Sequence, residues 1–161
     1  MNPNPDPSPL QVELLPDGAL LRLQAYGVML NLFPANRMEG GPANLWLRLH
    51  GEAGVSAVPL LGPNSPLEPR DTGGAVAWAA AGVWQGLAVQ LQLRIAAGAT
   101  AAWFWHVEVQ NGGGTAQRID LLTVQDVGLA PPGAIRLNEY YVSHYLDLSP
   151  LQHPRHGVLL A

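Results

Sequence analysis

Strict alternation of apolar and polar residues constrains this chain's fold more than any other feature. In residues 87–95 the odd positions are all apolar, and the even positions carry Ala, Gln or Arg. A period of two residues is typical of a strand with one buried and one solvent-facing side. The same pattern recurs in residues 45–50 and 103–110, and a further strand is expected at 118–124. The pattern predicts an all-β chain, a two-sheet antiparallel β-sandwich.

Turn residues separate these runs at the short spacing of an all-β fold. Pro16-Asp17-Gly18 predicts a hairpin between apolar runs at 12–15 and 19–23, and Asn111 with three following glycines predicts a turn between two strands. The alanine-rich residues 75–81 are interpreted as a strand, because glycines bracket them. Residues 33–42 and 59–69 are expected to be long loops, and no helix is predicted.

Length and composition favour one domain and exclude several functions. At 161 residues the chain suits a single β-sandwich domain at 10–161, after a proline-rich, disordered or extended arm at 1–9. No secretory signal and no membrane span are recognised, so a cytoplasmic protein without membrane contact is expected. The absence of cysteine excludes disulfides, thiolate metal sites and a cysteine nucleophile.

The charged residues give no sign of a nucleic-acid partner or a cofactor. The net charge is -4, and the eight basic residues are scattered arginines, so the basic patch of a nucleic-acid-binding protein is missing. No phosphate loop, nucleotide fingerprint or serine nucleophile elbow occurs, and no cofactor is expected. His153 and His156 are separated by a proline and lack companion ligands, so metal binding is not favoured.

Three carboxylates and an aromatic residue are the candidates for sugar chemistry. A glycosidase needs two facing carboxyl groups, and Asp120, Asp126 and Glu108 are considered, although exposed carboxylates on a solvated sheet face are the favoured interpretation. Flat aromatic rings pack against the C–H side of a pyranose. Alternation places Trp103 and Trp105 in the core but Trp46 opposite Leu45 and Leu47, where it is either a sugar platform or simple packing.

Residues 138–147 are unusually rich in hydrogen-bonding side chains. Read as a strand, they place Glu139, Tyr141, Ser143, Tyr145 and Asp147 on one face. Such a row would be costly in an ordinary core, because buried polar groups need partners. A polar interface to another domain or subunit is favoured, and a sugar-facing cleft remains open.

The same segment, Asn-Glu-Tyr-Tyr-Val-Ser-His-Tyr-Leu-Asp, followed by His-Pro-Arg-His-Gly at 153–157, resembles a known family. It is similar to the end of the N-terminal β-sandwich domain of glycoside hydrolase family 94 proteins, specifically 1,2-β-oligoglucan phosphorylases and the phosphorylase region of cyclic β-1,2-glucan synthases. Trp-Phe-Trp at 103–105 and the strand that it begins match as well. The resemblance implies a galactose-mutarotase-like supersandwich, which in that family precedes an (α/α)6 barrel with the catalytic acid and the phosphate site. Since the sequence stops at Ala161, the resemblance implies that the catalytic acid is missing.

Three functions follow, in order of preference. The first is a non-catalytic domain of a β-glucan phosphorylase-like protein, acting in assembly or substrate contact. Its expected partners are a β-glucan oligosaccharide, a separate or downstream (α/α)6 catalytic domain, and a second copy in a homo-oligomer. The oligomer is expected to be a dimer that forms through the C-terminal segment or an open sheet edge. The second is a free-standing carbohydrate-binding module. The third is a small mutarotase-type enzyme using a carboxylate with His106 or His144. The predicted carbohydrate-binding or interface residues are Trp46, Tyr141, Ser143, Tyr145 and Asp147.

Overall fold

The structure, a computed structural model, describes residues 8–142, 144, 146–155 and 157–160, and the side chains at 138–140, 159 and 160 are outside that description. Residues 1–7 of the predicted arm also lie outside the described residues. The described part forms twelve strands and one helix: β1 (Leu10–Leu14), β2 (Leu20–Ala25), β3 (Val28–Met29), β4 (Asn44–Gly51), β5 (Gly54–Pro59), β6 (Leu67–Pro69), β7 (Trp78–Trp84), β8 (Leu87–Ile95), β9 (Trp103–Asn111), β10 (Arg118–Val124), α1 (Pro132–Val142), β11 (Pro150–His153) and β12 (Gly157–Leu160).

Two antiparallel sheets pack face to face and form the sandwich. One has the strand order β6-β7-β8-β9, and the other has the order β10-β4-β5. Their inward side chains share a single apolar cluster, because alternation sends every second residue of β4 and β8 to the same side. The all-β antiparallel prediction is confirmed. The buried members of this cluster are Leu45, Leu47, Leu60, Leu61, Leu67, Ala80, Leu87, Val89 and Leu91.

A smaller sheet, β1-β2-β3, packs at one end of the sandwich. Its buried side chains form a second cluster, against which Ile95 and Trp103 pack from the ends of β8 and β9. The predicted hairpin at residues 16–18 is confirmed. Gly18 takes a φ of +80°, which favours glycine, and the Asp17 carboxylate accepts a hydrogen bond from the backbone N–H of Ala19 at 3.2 Å. The remaining two strands, β11 and β12, pair with each other.

The other loop and strand predictions are confirmed, but with different boundaries or pairing partners. Residues 33–42 contain no strand, whereas the predicted loop at 59–69 ends in β6. The predicted strand at 75–81 begins only at Trp78, since residues 74–77 turn. The turn after Asn111 does join β9 to β10, but these strands do not pair: β9 pairs with β8, and β10 pairs with β4.

The prediction that the chain has no helix, and that residues 138–147 form a strand, is wrong. Residues 132–142 form α1, whose first residue is a proline, and proline is preorganised for the first helical position. Ile135 is 1% exposed and packs with Met29 and Leu32, while Val142 packs on the same cluster. Residues seven apart share a helix face, so this contact with the body of the domain selects the helix over the β-prone tyrosines and valine.

Two buried asparagines tie loop backbone to the sheets. The Asn31 amide oxygen accepts a hydrogen bond from the backbone N–H of Leu23 at 2.8 Å, and its amide nitrogen donates to the carbonyl of Phe33 at 3.2 Å. Asn44 accepts from the N–H of Leu61 at 3.2 Å and donates to its carbonyl at 3.0 Å. Both side chains replace missing strand partners, because a buried backbone group without a hydrogen bond is destabilising.

Candidate functional site

The predicted site residues do not form one site. Trp46 lies on β4, between Leu122 of β10 and Pro59 of β5, and is half-buried. Tyr141 is 64% exposed in the last turn of α1, and Asp147 is exposed in the segment that follows. Ser143 and Tyr145 lie outside the described residues. The helix packs against β3 rather than β4, so Trp46 and Tyr141 belong to different parts of the molecule.

The predicted polar row at 139–147 is therefore corrected. Residues 138–142 belong to α1, and in a helix residues two apart point about 200° apart, so alternate residues do not form a row on one face as they would in a strand. Tyr141 instead meets His144 edge to face, with ring centroids 6.2 Å apart. The two aromatic rings are exposed, and they give the segment an apolar as well as a polar character.

The three carboxylates considered for glycosidase chemistry have separate structural surroundings. Asp126 accepts hydrogen bonds from the backbone N–H groups of Leu32 and Phe33 at 2.8 and 2.6 Å. Glu108 lies on the outer side of β9 and accepts from Gln110 at 2.9 Å. Asp120 lies on β10, in the other sheet. The structure does not place these groups as a facing pair, and the favoured interpretation of carboxylates on solvated sheet faces agrees with the positions of Asp120 and Glu108.

A charged cluster lies on the outer face of the β10-β4-β5 sheet. Asp120 is the direct cross-strand partner of Arg48, and it accepts hydrogen bonds from Arg48 Nε at 2.6 Å and Nη2 at 2.9 Å. His50 Nε2 lies 2.8 Å from the second carboxylate oxygen of Asp120. The bidentate arrangement fixes the guanidinium in the plane of the carboxylate. The side chains of Arg48, Asp120 and His50 are 40%, 39% and 25% exposed, so the cluster is open to solvent.

Alternation along β4 adds Trp46 to the same outer face. Leu45 and Leu47, on either side of it, belong to the core, so the indole points away from the core together with Arg48 and His50. We call Trp46, Arg48, His50 and Asp120 the outer-face patch. It combines a partly open aromatic surface with hydrogen-bond donors and acceptors held in fixed positions.

The ion pair changes the acidity of its carboxyl group. The hydrogen bonds from Arg48, and then the one with His50, lower the pKa of Asp120 below its usual range. The hydrogen bonds to Asp120, and then its negative charge, in turn raise the pKa of the Arg48 guanidinium. At neutral pH Asp120 is therefore a carboxylate, which accepts hydrogen bonds rather than donating a proton.

Asp120→Asn tests this electrostatic arrangement. A carboxyl group whose folded-state pKa is depressed contributes stability that is present above its unfolded pKa of about 3.9 and is lost as the pH falls through the lower, folded value. The wild type is thus expected to melt at a higher temperature than D120N at neutral pH, by a modest margin because the pair is exposed. Thermal melts at descending pH should show this margin shrinking below about pH 4. Arg48, His50 and Arg118 are the charged or titratable side chains that face Asp120 on the same sheet face.

Glu52→Gln is the matched control, since Glu52 is an exposed carboxylate in the turn between β4 and β5. The difference in melting temperature between the wild type and E52Q should stay small throughout the same pH series. A D120N margin that is constant from neutral to acid pH would contradict the role given to the ionised carboxylate.

Histidine and membrane features add no further site. The His153 ring accepts a hydrogen bond from the backbone N–H of Arg155 at 3.1 Å in the turn between β11 and β12, and His156 lies outside the described residues. In the described residues, no three histidine or acidic side chains are close enough together to hold a metal ion. The described chain also has no helix with the length and hydropathy to span a membrane.

The fold and the patch define the class: an antiparallel β-sandwich domain with an accessory sheet and a short helix. Comparison with known proteins then gives the family. The chain belongs to the SOGP N-terminal domain family, whose model matches residues 13–161. It is also 28% identical, over 138 residues, to a 1,2-beta-oligoglucan phosphorylase of Listeria innocua serovar 6a (strain ATCC BAA-680 / CLIP 11262). That alignment covers 86% of this chain but 12% of the relative, so the chain spans about an eighth of that protein's length. The resemblance to the N-terminal β-sandwich domain of such phosphorylases is confirmed.

Proposed function

We propose that this chain is a non-catalytic β-sandwich domain of a β-glucan phosphorylase-like protein, acting in assembly and substrate contact. The observation that carries the proposal is the match of nearly the whole chain to a phosphorylase N-terminal domain family, against a relative of which it covers 12%. The family resemblance assigns phosphorolysis to a separate (α/α)6 barrel. A cytoplasmic location is part of the same proposal, because the proposed partner acts on oligosaccharides with phosphate.

One side of the sandwich supports an assembly role. β9 and β10 are edge strands of the two main sheets and follow each other in sequence. Leu121 is paired with Leu47 and so points to the core side, yet it is 43% exposed, whereas Leu47 is 1% exposed. Ile119 on the same side of β10 is also exposed. We call Ile119 and Leu121 the open side of the sandwich.

The open side suits an apolar partner surface. Exposed edge strands present unpaired backbone groups that a partner can pair with. Burial of the exposed apolar side chains on their inner face would further favour docking. The occupant that we propose is the catalytic part of a phosphorylase-like protein, on the same polypeptide or on a separate one. In its absence, a second copy of the chain is expected to cover the same surface and give a dimer.

Leu121→Glu tests the assembly role. The wild-type chain is expected to self-associate at micromolar concentration, because pairing the open sides removes apolar surface from water. A glutamate there would bury an unpaired charge at the contact, so L121E is expected to remain monomeric. Light scattering coupled to size-exclusion chromatography measures the mass directly.

Val83→Glu is the control, because Val83 is 66% exposed on β7, which lies inside its sheet rather than at an edge. It should self-associate like the wild type. A monomeric wild type, or equal masses for V83E and L121E, would contradict docking through the open side. Phosphate-dependent release of glucose 1-phosphate from a 1,2-β-oligoglucan by the isolated chain would contradict the non-catalytic role.

A further inference from the structure

We infer that the outer-face patch is a binding site for a neutral gluco-oligosaccharide. This inference rests on the proposed function for the kind of sugar, but its geometry is independent of the open side. The patch lies on the outer face of the β10-β4-β5 sheet, whereas the open side faces inward. A domain that contacts substrate through this patch can therefore do so while its open side is covered.

The spacing of the patch suits a sugar ring. Trp46 and Arg48 are two residues apart on one strand, so their Cα atoms are about 6.6 Å apart and their side chains point to the same side. A pyranose has an apolar C–H face and a rim of hydroxyl groups. The indole offers a flat apolar surface to the first, and the adjoining ion pair offers hydrogen bonds to the second.

The ion pair keeps hydrogen-bonding capacity for a ligand. A guanidinium has five N–H donors, and the contacts described for Arg48 engage two of them with Asp120. The Asp120 carboxylate has about four lone-pair positions, of which Arg48 and His50 take three. A donor and an acceptor therefore lie side by side, and this is the combination that two neighbouring hydroxyl groups of a sugar require.

The pairing of Arg48 with Asp120 also explains how a site with charged side chains can suit a neutral sugar. An isolated arginine would attract anions, and an isolated aspartate would repel phosphate. Held together at 2.6 and 2.9 Å, the two charges offset each other, while their outward atoms stay polar. The ion pair itself is thus suited to a neutral ligand, and Arg118, the cross-strand partner of His50, adds a further positive charge at the border of the patch. Because Arg48 is already held in place by Asp120, sugar binding costs little additional side-chain entropy.

Nuclear magnetic resonance titration of the ¹⁵N-labelled full chain with a 1,2-β-linked glucotriose tests the inference. We expect progressive shifts at the Trp46 indole N–H and at the backbone N–H groups of Arg48, His50 and Asp120. Trp46→Ala should weaken binding at least roughly tenfold. Arg48→Lys keeps the charge but loses the planar donor fork, and it should weaken binding as well.

Two controls make the result specific. Phe104→Ala removes another exposed aromatic side chain, from β9 in the opposite sheet, and should leave affinity unchanged. Sorbitol carries hydroxyl groups but has no pyranose ring, and should cause no shift at Trp46. Equal shifts with sorbitol, binding by W46A at wild-type affinity, or no shift at the patch would each overturn the site. If the oligosaccharide causes no chemical-shift change at the patch while L121E abolishes self-association, the sugar site is contradicted and the assembly role is still supported.

Discussion

Leu91→Ala is expected to lower the free energy of unfolding by about 2–5 kcal/mol, the range for a fully buried leucine truncated to alanine. Leu91 is 0% exposed and lies in the middle of β8, where it is paired with Ala80 and Val107. Removing its side chain leaves a cavity between the two sheets that neighbouring residues fill only in part. Since domains of this size are stable by about 5–15 kcal/mol, this one change removes a large share of the total.

Urea unfolding followed by tryptophan fluorescence gives the measurement, with the midpoint lowered and the slope unchanged if the unfolded state is unaffected. Leu122→Ala is the matched control: it removes the same atoms from the same sandwich, but from a side chain that is 43% exposed and lies on the outer face, away from the open side. Its cost should stay below about 1 kcal/mol, as for substitutions away from the core. Equal losses at the two positions would show that the core does not lie between β4 and β8.

Gly82→Ala is expected to cost about 3 kcal/mol, at the upper end for overpacking a closely packed site. A Cβ atom at this position would lie 2.2 Å from the carbonyl oxygen of Pro66 and 3.1 Å from the Cα atom of Leu67. Gly82 is the cross-strand partner of Leu67, and the obstructing atoms are backbone. The new methyl group can therefore be accommodated only if β6 moves away from β7.

Amide hydrogen exchange separates this effect from a general loss of stability. Protection should fall first along β6–β7, whereas the β4–β10 pairing should keep its protection until global unfolding. Gly114→Ala serves as the control, because a Cβ there meets nothing within 4 Å. That variant should be neutral or slightly stabilising, since alanine restricts the unfolded chain more than glycine does. Wild-type stability and exchange in G82A would mean that β6 does not approach β7 as closely as described.

The sequence predicted the fold best where the burial of a residue follows from its immediate neighbours in the chain. The alternation at 87–95 predicted both ends of β8 and its buried side, because each residue of a strand reports its own face. The alternation of residue types gave a wrong prediction for α1, residues 132–142. Tyr and Val there favour a strand, but the contact of Ile135 with Met29 and Leu32 selects a helix. That contact joins residues about a hundred positions apart, and no local pattern contains it.

The site was predictable only in part for the same reason. Alternation correctly placed Trp46 away from the core. Arg48 was visible on the same face, but Asp120 was considered only as a partner for other carboxylates. Its pairing with Arg48 depends on the register between β4 and β10, which period-two patterns leave undetermined. The buried asparagines were missed because a polar residue in a loop gives no sign of what its amide will bond.

The pairing of β4 with β10 also determines how this domain can fold. Among the described strands, every other pair is formed by consecutive strands, whereas Arg48 and Asp120 are 72 residues apart in sequence. Hairpins close within microseconds, but a long-range pairing must first overcome the entropy of closing the intervening chain. On a ribosome that adds about 5–20 residues per second, β4 waits roughly 4 to 14 seconds for β10 to be synthesised. During that interval its free edge is the part of the nascent chain most in need of protection.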